Sequence, residues 1–486
     1  MDLNLLPPAA VWRHFATLCR IPRPSGHEHA LREEILGWAR QRGLGAVVDA
    51  TGNLILSKPA SPGHEDRPGV VLQGHLDMVC QKNAGSAHDF LRDPIRAELR
   101  DGWLVADDTT LGADNGIGVA MALAVLEADD IAHPALEVLL TVDEEAGMTG
   151  ARGLQADALR GRLLINIDTE DWGEFYLGCA GGADVVVDAV LDTVAAPAGG
   201  VALRLTVEGL KGGHSGVDIH LQRGNAIKLL VRALQGLRAA GAGFALATLE
   251  GGTARNALPR EAQAVIVVDA GDVAPLHEAL ARIGAEIADE LAGVDDGFRL
   301  HAGPAPLPAR VCADEAGRRA LAALHAAPHG VRRLSSRVPG VVETSDNLGV
   351  VRLAEGRLQA TLMVRSLLDA GTRELAAEIV GLFGLAGMAA TVSEPYPGWA
   401  PNPRSGLLAL FQQVYQREFG GEAAVKVIHA GLECGIFTAT WPDMDMISFG
   451  PSIRGAHAPG ERVEVASVER AWRLLVAVLA AVPAAR

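Results

Sequence analysis

Three short apolar runs, each ending in polar or acidic residues, constrain most strongly what this chain can fold into. They cover residues 70–79, 136–142 and 163–167, and a segment with helical patterning, 116–126, lies between the first two. Apolar runs of this length predict buried strands, and strands separated by helices predict a parallel sheet. We therefore predict an α/β fold with a mixed, largely parallel sheet flanked by helices.

The pattern changes after residue 182. Strand-like and helix-like segments follow at 201–207, 227–237, 264–268, 276–291 and 358–364. Few strands and two helices, segregated in sequence, predict an α+β domain inserted into the first one. Residues 395–399 contain two prolines and a glycine and mark the predicted return. The predicted segments are therefore 1–182 and 397–486 for the first domain and 183–396 for the inserted domain, and a chain of 486 residues has room for more than one core.

Charge and cysteine content exclude several classes of protein. With 43 basic and 59 acidic side chains, the chain carries a formal charge of −16, whereas nucleic-acid binding needs clustered Lys and Arg. Five scattered cysteines without a C-x-x-C pair exclude a disulfide framework and a thiolate zinc cluster. The N terminus lacks a signal-peptide pattern, and the apolar segment 474–482 is too short to cross a bilayer. We predict a cytoplasmic protein that binds neither nucleic acid nor membranes.

His75 and Asp77 lie two residues apart at the end of the first apolar run. Residues i and i+2 of a strand project from the same face, so both side chains point together from the strand end. The pair suits a metal-ligating imidazole whose other ring nitrogen is oriented by a carboxylate. The alternative is a polar pair that faces solvent, and these two residues alone do not exclude it.

Asp114 lies in the glycine-rich segment 112–118, GADNGIG, which opens the predicted helix. The glycines permit a tight turn that brings the backbone close to whatever Asp114 contacts. The alternative is a helix N-cap, in which Asp114 or Asn115 accepts hydrogen bonds from free N–H groups. A phosphate-binding loop fits less well, because the segment lacks both G-x-G-x-x-G and the P-loop lysine.

Further acidic residues follow the other two runs. Asp143, Glu144 and Glu145 end the second run, Asp168 ends the third, and His457 lies in a loop near the C terminus. Open α/β sheets place their sites outside the carboxyl ends of their strands, and a bound cation favours ionised carboxylates. One of the adjacent glutamates would then bind metal while the other moves protons. An exposed acidic cluster is the alternative.

A charge count supports two metal ions. With Asp114 as a bridge, His75 and Asp168 complete one site, while Glu145 and His457 complete the other. Three carboxylates and a bridging hydroxide carry four negative charges, which balance two divalent cations. Histidine and carboxylate ligands without a thiolate suit zinc or another first-row divalent ion.

Taken together, the motifs resemble those of the bacterial aminoacyl-histidine dipeptidase family, a branch of the dinuclear zinc exopeptidases. The resemblance covers essentially the whole chain, although 304–340 has no firm match and Ala146 replaces an expected Thr. The matching strings are GHLDMVCQK at 74–82, GADNGIG at 112–118, DEE at 143–145, GGHSGVDIH at 212–220, RNALPR at 255–260 and GLECG at 431–435.

The resemblance assigns a role to each candidate residue. It implies the same metal ligands as the charge count, which are His75, Asp114 as the bridge, Glu145, Asp168 and His457. Asp77 would orient His75, and Glu144 would be the general base. His214 would help to polarise the scissile carbonyl, while Asn256 and Arg365 would hold the substrate and its C-terminal carboxylate. The alternatives are a loop histidine for His214 and a surface cation for Arg365.

The function that follows from this resemblance is metal-dependent hydrolysis of unblocked dipeptides, including Xaa-His dipeptides such as carnosine. A metal-bound hydroxide would attack the carbonyl, with Glu144 as general base. The cofactor would be two divalent ions, first of all Zn²⁺, with Co²⁺ or Mn²⁺ as alternatives. A small peptide would be the substrate, and the protein would be a homodimer. Segment 183–396 would be a lid and dimerisation domain, and the other two segments would form the catalytic domain.

Other functions stay open at this point. One is another amidase on the same scaffold, either a tripeptidase or an N-acyl-amino-acid deacylase. A second is a non-catalytic binding protein, although every catalytic position expected here is filled. A third is a cysteine hydrolase that uses Cys80 or Cys434 with a nearby histidine, which the sequence alone does not exclude.

Overall fold

In the computed structural model, residues 3–83 and 85–484 are described. The predicted segments 1–182 and 397–486 also contain residues 1, 2, 84, 485 and 486, which lie outside the described residues. The chain divides into two compact units: the first contains the chain up to Gly178, Pro401–Val427 and the chain from Leu432, and the second contains Cys179–Ala400 and Ile428–Gly431. The chain returns to the second unit at 428–431, whereas the predicted segments assigned all of 397–486 to the first domain.

Within the described ranges, strands and helices have the following bounds. The strands up to residue 179 are β1 (Gly45–Val48), β2 (Leu54–Lys58), β3 (Val70–His75), β4 (Glu98–Arg100), β5 (Trp103–Val105), β6 (Leu136–Thr141), β7 (Leu163–Asn166) and β8 (Glu174–Cys179). The next are β9 (Gly181–Val190), β10 (Thr193–Ala195), β11 (Val201–Glu208), β12 (Ala245–Gly251), β13 (Ala262–Val268), β14 (Arg299–Pro304), β15 (Arg310–Cys312), β16 (Gly330–Leu334), β17 (Val342–Ala354), β18 (Arg357–Ser366) and β19 (Ala389–Val392). The last are β20 (Ala424–Ile428), β21 (Asp445–Ser448), β22 (Ile453–Arg454) and β23 (Arg462–Glu464). The helices are α1 (Ala9–Arg20), α2 (His29–Gln41), α3 (Ala113–Glu127), α4 (Thr149–Gly153), α5 (Ala226–Ala239), α6 (Val273–Glu290), α7 (Asp314–Ala326), α8 (Asp369–Leu385), α9 (Gly406–Phe419), α10 (Glu433–Thr440) and α11 (Val465–Ala481).

The main sheet of the first unit has eight strands in the order β1-β2-β6-β3-β7-β21-β8-β20. Strands β6, β3, β7 and β21 run parallel to their neighbours in this group, whereas β1, β2 and β8 pair antiparallel. A mixed sheet with a parallel centre confirms the predicted fold class. Every residue of β3 is buried, as expected for a central parallel strand covered on both faces.

Helix α3 forms the centre of the first unit's core. Nearly all of its residues are buried, including Ile117, Val119 and Val125. It is apolar on all sides, which is the pattern of a helix that lies within a core and not at its surface. The helix begins next to β3 and so brings the GADNGIG segment to the end of the sheet where β3 finishes; α3 and β3 are in contact.

The second unit has a nine-stranded antiparallel sheet in the order β14-β11-β13-β12-β17-β18-β9-β19, with β16 paired to β17. Alternate residues of β11 are buried, as expected for an antiparallel strand with one face on a core. Apolar residues of α5 and α6, such as Leu230 and Ile283, pack in the same core. Among its described residues, the unit contains four helices and eleven strands, since β10 and β15 pair separately. These exceed the two helices and few strands predicted, so the α+β class is right but the predicted number of elements was too low.

None of the helices within residues 3–83 and 85–484 has the combination of length and apolarity that a membrane span requires.

Candidate active site

The parallel strands of the first unit end where the predicted site residues begin. His75 is the last residue of β3, and it pairs with Thr141, the last residue of β6. Asp168 follows β7 by two residues. Because parallel strands present their carboxyl ends at one edge of a sheet, the segments that follow them meet there. The fold therefore brings His75, Glu144, Glu145 and Asp168 to a common edge.

One donor group contains His75, Asp114 and Asp168. The Nε2 atom of His75 lies 3.1 Å from Asp114 Oδ1 and 3.4 Å from Asp168 Oδ1. The imidazole is almost fully buried, with a side-chain exposure of 1%. One ring nitrogen thus faces two carboxylates, which is an arrangement that suits a cation between them.

A second group contains Asp114, Glu145 and His457. The Nε2 atom of His457 lies 3.2 Å from Asp114 Oδ2 and 3.2 Å from Glu145 Oε2. Asp114 therefore offers Oδ1 to the first group and Oδ2 to the second. These are the two groups that the charge count paired through Asp114.

Asp77 connects the first group to the segment that carries the glutamates. Its Oδ1 lies 3.3 Å from His75 Nδ1 and accepts a hydrogen bond from Glu144 N at 3.0 Å, while Oδ2 accepts one from Glu145 N at 3.1 Å. Ser25 Oγ donates to Oδ2 at 2.7 Å. Although burial alone raises the pKa of Asp77, the hydrogen bond to His75 lowers it to about 2. Asp77 is therefore a buried anion that fixes both His75 and the glutamate backbone.

The cluster holds more carboxyl groups than imidazoles. Burial raises the pKa of Asp168 to about 7, and the carboxylates of Asp114 and Glu145 contribute to the rise. Hydrogen bonds with Asp114 and Glu145 raise the pKa of His457 to about 11. Burial alone lowers the pKa of His75, but Asp168 and Asp114 raise it well above its ordinary value. The cluster therefore takes up protons unless a cation supplies the charge.

Glu145 provides an independent test of whether a cation fits. Its Oε1 atom is buried and has no hydrogen-bond partner within residues 3–83 and 85–484. A buried acceptor without a partner costs free energy. Carboxylate and imidazole donors are the ligands that zinc and other divalent first-row ions use. The residues present therefore fit divalent metal ions.

Glu144 lies beside these donors and forms a further group with His75 and Glu145. Burial raises the pKa of Glu144 well above its ordinary value, and Asp168 and Glu145 add to the effect. A cation nearby lowers the pKa of such a carboxyl again. Its position and environment suit a group that accepts and returns a proton.

Asn115, which the sequence indicated only as an alternative helix cap, joins two strand ends. Its Oδ1 accepts from His75 N at 3.2 Å, and its Nδ2 donates to Ile167 O at 2.5 Å. Gly74 and Gly118 leave the space: a Cβ atom at Gly74 would lie 2.2 Å from Asn115 Oδ1, and one at Gly118 would lie 2.2 Å from Ile167 O. In the sequence, only these glycines could have indicated the role of Asn115. They make room for its side chain, in addition to permitting a turn.

Glu433 is a buried carboxylate to which sequence reasoning gave no role. Its Oε2 accepts hydrogen bonds from Gln73 Nε2 at 2.5 Å and from Thr141 Oγ1 at 2.8 Å. Burial raises its pKa to about 8. Gln73 and Thr141 lie near the ends of β3 and β6, so Glu433 joins the two strands that lead to His75 and the glutamates. The GLECG string was the only signal.

The three predicted substrate-binding residues lie in the second unit. Arg365 is 4% exposed and donates through Nη1 to Tyr396 Oη at 3.0 Å. His214 Nδ1 accepts from the backbone N of Gly216 and of Val217, so its Nε2 carries the proton. That Nε2 lies 3.5 Å from Arg365 Nη2. His214 and Arg365 therefore lie side by side, and each offers an N–H hydrogen-bond donor.

Asn256 is exposed and contacts this region through its backbone. Its carbonyl oxygen accepts from Ser215 N at 2.8 Å, next to a bridge between His214 and Ala257. The structure therefore places the backbone of Asn256 beside His214.

The cysteine alternative has no support in the environment of the thiols. Burial raises the pKa of Cys80 to about 11, and Cys434 is fully buried. A nucleophilic cysteine needs a lowered pKa and access to substrate. Neither residue is therefore an activated thiol.

The mixed sheet, and the acidic edge with an aspartate common to two donor groups, fit a metal-dependent hydrolase. Comparison with known proteins identifies the family. Peptidase family M20/M25/M40 matches residues 71–481. Because this match covers most of the chain, the protein belongs to peptidase family M20/M25/M40.

Individual relatives agree with this family. The cytosol non-specific dipeptidase of Escherichia coli (strain K12) is 45% identical over 489 residues, which cover 99% of this chain and 99% of that protein. The crystal structure of the aminoacylhistidine dipeptidase from Vibrio alginolyticus has a TM-score of 0.91 at 43% identity and covers 100% of this chain and 99% of that one. These similarities confirm the resemblance inferred from the motifs.

More distant structures share the fold. Aminopeptidase PepT from Bacillus cereus ATCC 10987 has a TM-score of 0.55 at 16% identity, with 98% of both chains covered. At this identity the similarity is one of fold alone.

Proposed function

We propose that the protein is a metal-dependent dipeptidase that hydrolyses unblocked dipeptides, Xaa-His dipeptides included. The observation that carries this proposal is the pair of donor groups that share Asp114, with Glu144 beside them. The names of the E. coli and Vibrio relatives, a dipeptidase and an aminoacylhistidine dipeptidase, support the substrate class. Fold analogy alone would not separate dipeptidases from other amidases.

The proposed ligands are His75 and Asp168 for one ion, Glu145 and His457 for the other, and Asp114 for both. Zn²⁺ is the ion that we propose, because the donors are imidazole and carboxylate and two nearly neutral sites result. Two such ions, when bound, polarise a scissile carbonyl and lower the pKa of water.

Glu144 is the proposed general base. Its carboxylate accepts a proton from the attacking water, and the same proton then passes from Glu144 to the nitrogen of the leaving amine. Proton transfer by a positioned side chain is typically worth about 10²–10⁴-fold in rate. Asp77 holds the backbone N–H groups of Glu144 and Glu145, so it sets where the base lies.

The proposed substrate-binding residues are His214, Asn256 and Arg365. Arg365 Nε is buried and has no partner among the described residues, and guanidinium groups bind carboxylates through two N–H donors. His214 Nε2 lies 3.5 Å from Arg365 Nη2 and, as the protonated ring nitrogen, offers a second N–H donor beside the guanidinium. We assign the C-terminal carboxylate of the substrate to Arg365 and a carbonyl oxygen to His214.

We also propose that the enzyme acts in the cytoplasm as a homodimer. The E. coli relative is named a cytosol dipeptidase, and 183–396 is proposed as the lid and dimerisation domain. Analytical ultracentrifugation of the metal-loaded protein tests the subunit number: a single species at twice the 50.7 kDa chain mass is expected, and a monomer would contradict the dimer.

A substrate panel with the purified protein tests the function. The panel contains Ala-His, carnosine, a tripeptide, an N-acetylated dipeptide and an N-acetyl amino acid, each with added Zn²⁺ and with EDTA. We expect kcat/KM for free dipeptides to exceed that for the other compounds by at least about tenfold, and EDTA to abolish turnover. The Glu144→Ala variant, prepared in the same way, controls for contaminating peptidases. Equal turnover of the tripeptide or the N-acetyl amino acid would favour the alternative amidases.

A further inference from the structure

The backbone that leads into Asp114 is bound by one carboxylate. Glu461 Oε2 accepts hydrogen bonds from Leu111 N at 2.7 Å and Gly112 N at 2.9 Å. Its Oε1 accepts from Ala113 N at 2.8 Å and Asp114 N at 3.3 Å. Glu461 is only 2% exposed. Four consecutive N–H groups thus converge on a single buried side chain, which fixes the path of the chain into Asp114.

A buried guanidinium holds the same segment from the carbonyl side. Arg23 Nη2 donates to Gly112 O at 2.5 Å, and Nη1 donates to Leu76 O at 2.9 Å and to Asp77 O at 2.7 Å. Arg23 is also only 2% exposed. Because Leu76 follows His75 directly, one side chain ties the segment of His75 to the segment of Asp114.

Two glycines of the GADNGIG segment make room for this guanidinium. A Cβ atom at Gly112 would lie 2.5 Å from Arg23 Nη2, and one at Gly116 would lie 2.7 Å from the same atom. Gly112 also has a φ of +69°, where a side chain is strained. The glycine pattern is therefore explained by Arg23 as well as by the turn.

Neither Arg23 nor Glu461 is explained by stability alone. Removing two charges from water is expensive, and well-packed apolar residues of similar size often stabilise a core as well or better. What the pair does provide is geometry: seven hydrogen bonds that fix the segments of two proposed ligands relative to each other.

We propose that Arg23 and Glu461 are positioning residues that set the metal affinity of the site by holding Asp114 in register with His75. They do not contact the ions themselves. The inference rests on the proposed ligand roles of His75 and Asp114. Changes in residues that orient metal ligands typically cost about 10–100-fold in metal affinity, so the same loss is expected when this pair is altered.

Zinc affinity of the Glu461→Gln variant tests the inference. The amide has the size of the carboxylate, but its NH₂ group faces two backbone donors and cannot accept from them. We expect the Kd for Zn²⁺, measured by competition with a chromophoric chelator, to rise by about 10–100-fold.

Asp295→Asn is the matched control, because Asp295 is a second buried carboxylate that accepts from backbone N–H groups, those of Lys211 and Gly224, both at 2.7 Å. It lies in the other unit. We expect this variant to lower the melting temperature of the metal-free protein and to leave the Kd for Zn²⁺ unchanged.

Arg23→Lys is the second variant, and it decides the question if Glu461→Gln does not fold. Lysine keeps the charge, but it lacks the planar guanidinium that donates to the carbonyl oxygens of Leu76, Asp77 and Gly112. We therefore expect the Arg23→Lys variant to bind zinc more weakly as well. Zinc affinity equal to that of the wild type in a folded Glu461→Gln or Arg23→Lys variant would overturn the inference while leaving the proposed function intact. A wild-type protein that binds no zinc would instead refute the proposed function.

Discussion

At the scale of single residues, Asp77 does several things at once with one carboxylate. It faces His75 Nδ1 and accepts from the backbone of Glu144 and Glu145. An imidazole whose Nδ1 is held in this way presents Nε2 outward, here toward Asp114 and Asp168. The same side chain therefore orients a proposed ligand and places the proposed base.

Substitution of the adjacent glutamates should separate proton transfer from metal binding. In Glu144→Ala we expect two zinc ions per chain and a loss of kcat by about 10²–10⁴-fold, because only the proton acceptor is removed. In Glu145→Ala we expect loss of zinc, because a proposed ligand is removed. Elemental analysis together with dipeptide hydrolysis measures both quantities.

The wild-type protein carried through the same metal loading is the control for this pair. Full metal content and full activity in both variants would show that the division of roles between Glu144 and Glu145 is wrong.

Gly118 should tolerate no side chain. An added Cβ would lie 2.2 Å from Ile167 O and 2.8 Å from Asn115 Nδ2, and overpacking of this kind typically costs about 1–3 kcal/mol. We expect Gly118→Ala to lower the melting temperature of the metal-free protein. Gly37→Ala in α2 is the control, since nothing lies within 4 Å of its Cβ position, and we expect it to raise stability by about 0.5–1 kcal/mol. Equal melting temperatures for the two variants would contradict this account of Gly118.

At the scale of secondary structure elements, the parallel order of β6, β3, β7 and β21 accounts for the location of the site. Glu433 and Asn115 join these strand ends through Gln73, Thr141, His75 and Ile167. The buried residues of these strands are mostly apolar, and the polar side chains of β3, Gln73 and His75, lie toward its carboxyl end. The carboxylates of the site therefore lie at that edge, where the strands end.

Strand β17 carries a buried carboxylate that should make stability depend on pH. Burial raises the pKa of Asp346 to about 7, against opposing effects of Lys228 and Arg332 and a supporting one of Glu378. A raised pKa means that the folded state binds the proton more tightly, so the contribution to stability is full below the unfolded pKa near 4 and is lost as pH rises toward 7.

The Asp346→Asn variant should not lose this contribution, because the amide does not ionise. We expect its melting temperature, relative to that of the wild type, to increase steadily between pH 5 and about 7. Thermal unfolding of both proteins across this range measures the difference, and other titrating groups cancel because they are common to both. A difference that does not change with pH would contradict the assignment.

At the scale of the whole molecule, the sequence predicted the first unit better than the second. Strands β6 and β7 and helix α3 match the predicted segments closely, because their residues form apolar runs with polar ends. Strand β3 begins at Val70 as predicted but ends at His75, so Asp77 lies beyond the strand and not on its face. Strands β11, β13 and β18 coincide with the predicted segments 201–207, 264–268 and 358–364, whereas β9 and β17 have no predicted counterpart. The second half of β9 is buried only in part, and β17 is polar at 343–347 although it is buried there, so neither strand forms a continuous apolar run. Segment 304–340, which matched nothing, contains β15, α7 and β16.

The candidate site was predictable for the residues that carry distinctive side chains at strand ends. His75, Asp114, Glu145, Asp168 and His457 lie together as the charge count required. Arg23 and Glu461 were not predictable, because their partners are backbone N–H and C=O groups, which every residue has. A sequence pattern can indicate which side chains meet one another, but it does not indicate which side chains bind the backbone.

Metal ions should stabilise the folded protein. Ions that bind the native state and not the unfolded chain add about 2.7 kcal/mol per site at a free concentration of 100 times Kd. We expect the melting temperature to rise with Zn²⁺ and to fall with EDTA, and the Glu145→Ala variant to respond less than the wild type. A wild-type melting temperature that is insensitive to both would contradict metal binding at these residues.

The most direct test of the proposed centre is an anomalous difference map from zinc-loaded crystals, measured at the zinc absorption edge. The account predicts two peaks about 3.5–4 Å apart, one bounded by His75, Asp114 and Asp168 and the other by Asp114, Glu145 and His457. The absence of any peak among these five side chains, or a single peak that does not touch Asp114, would contradict it.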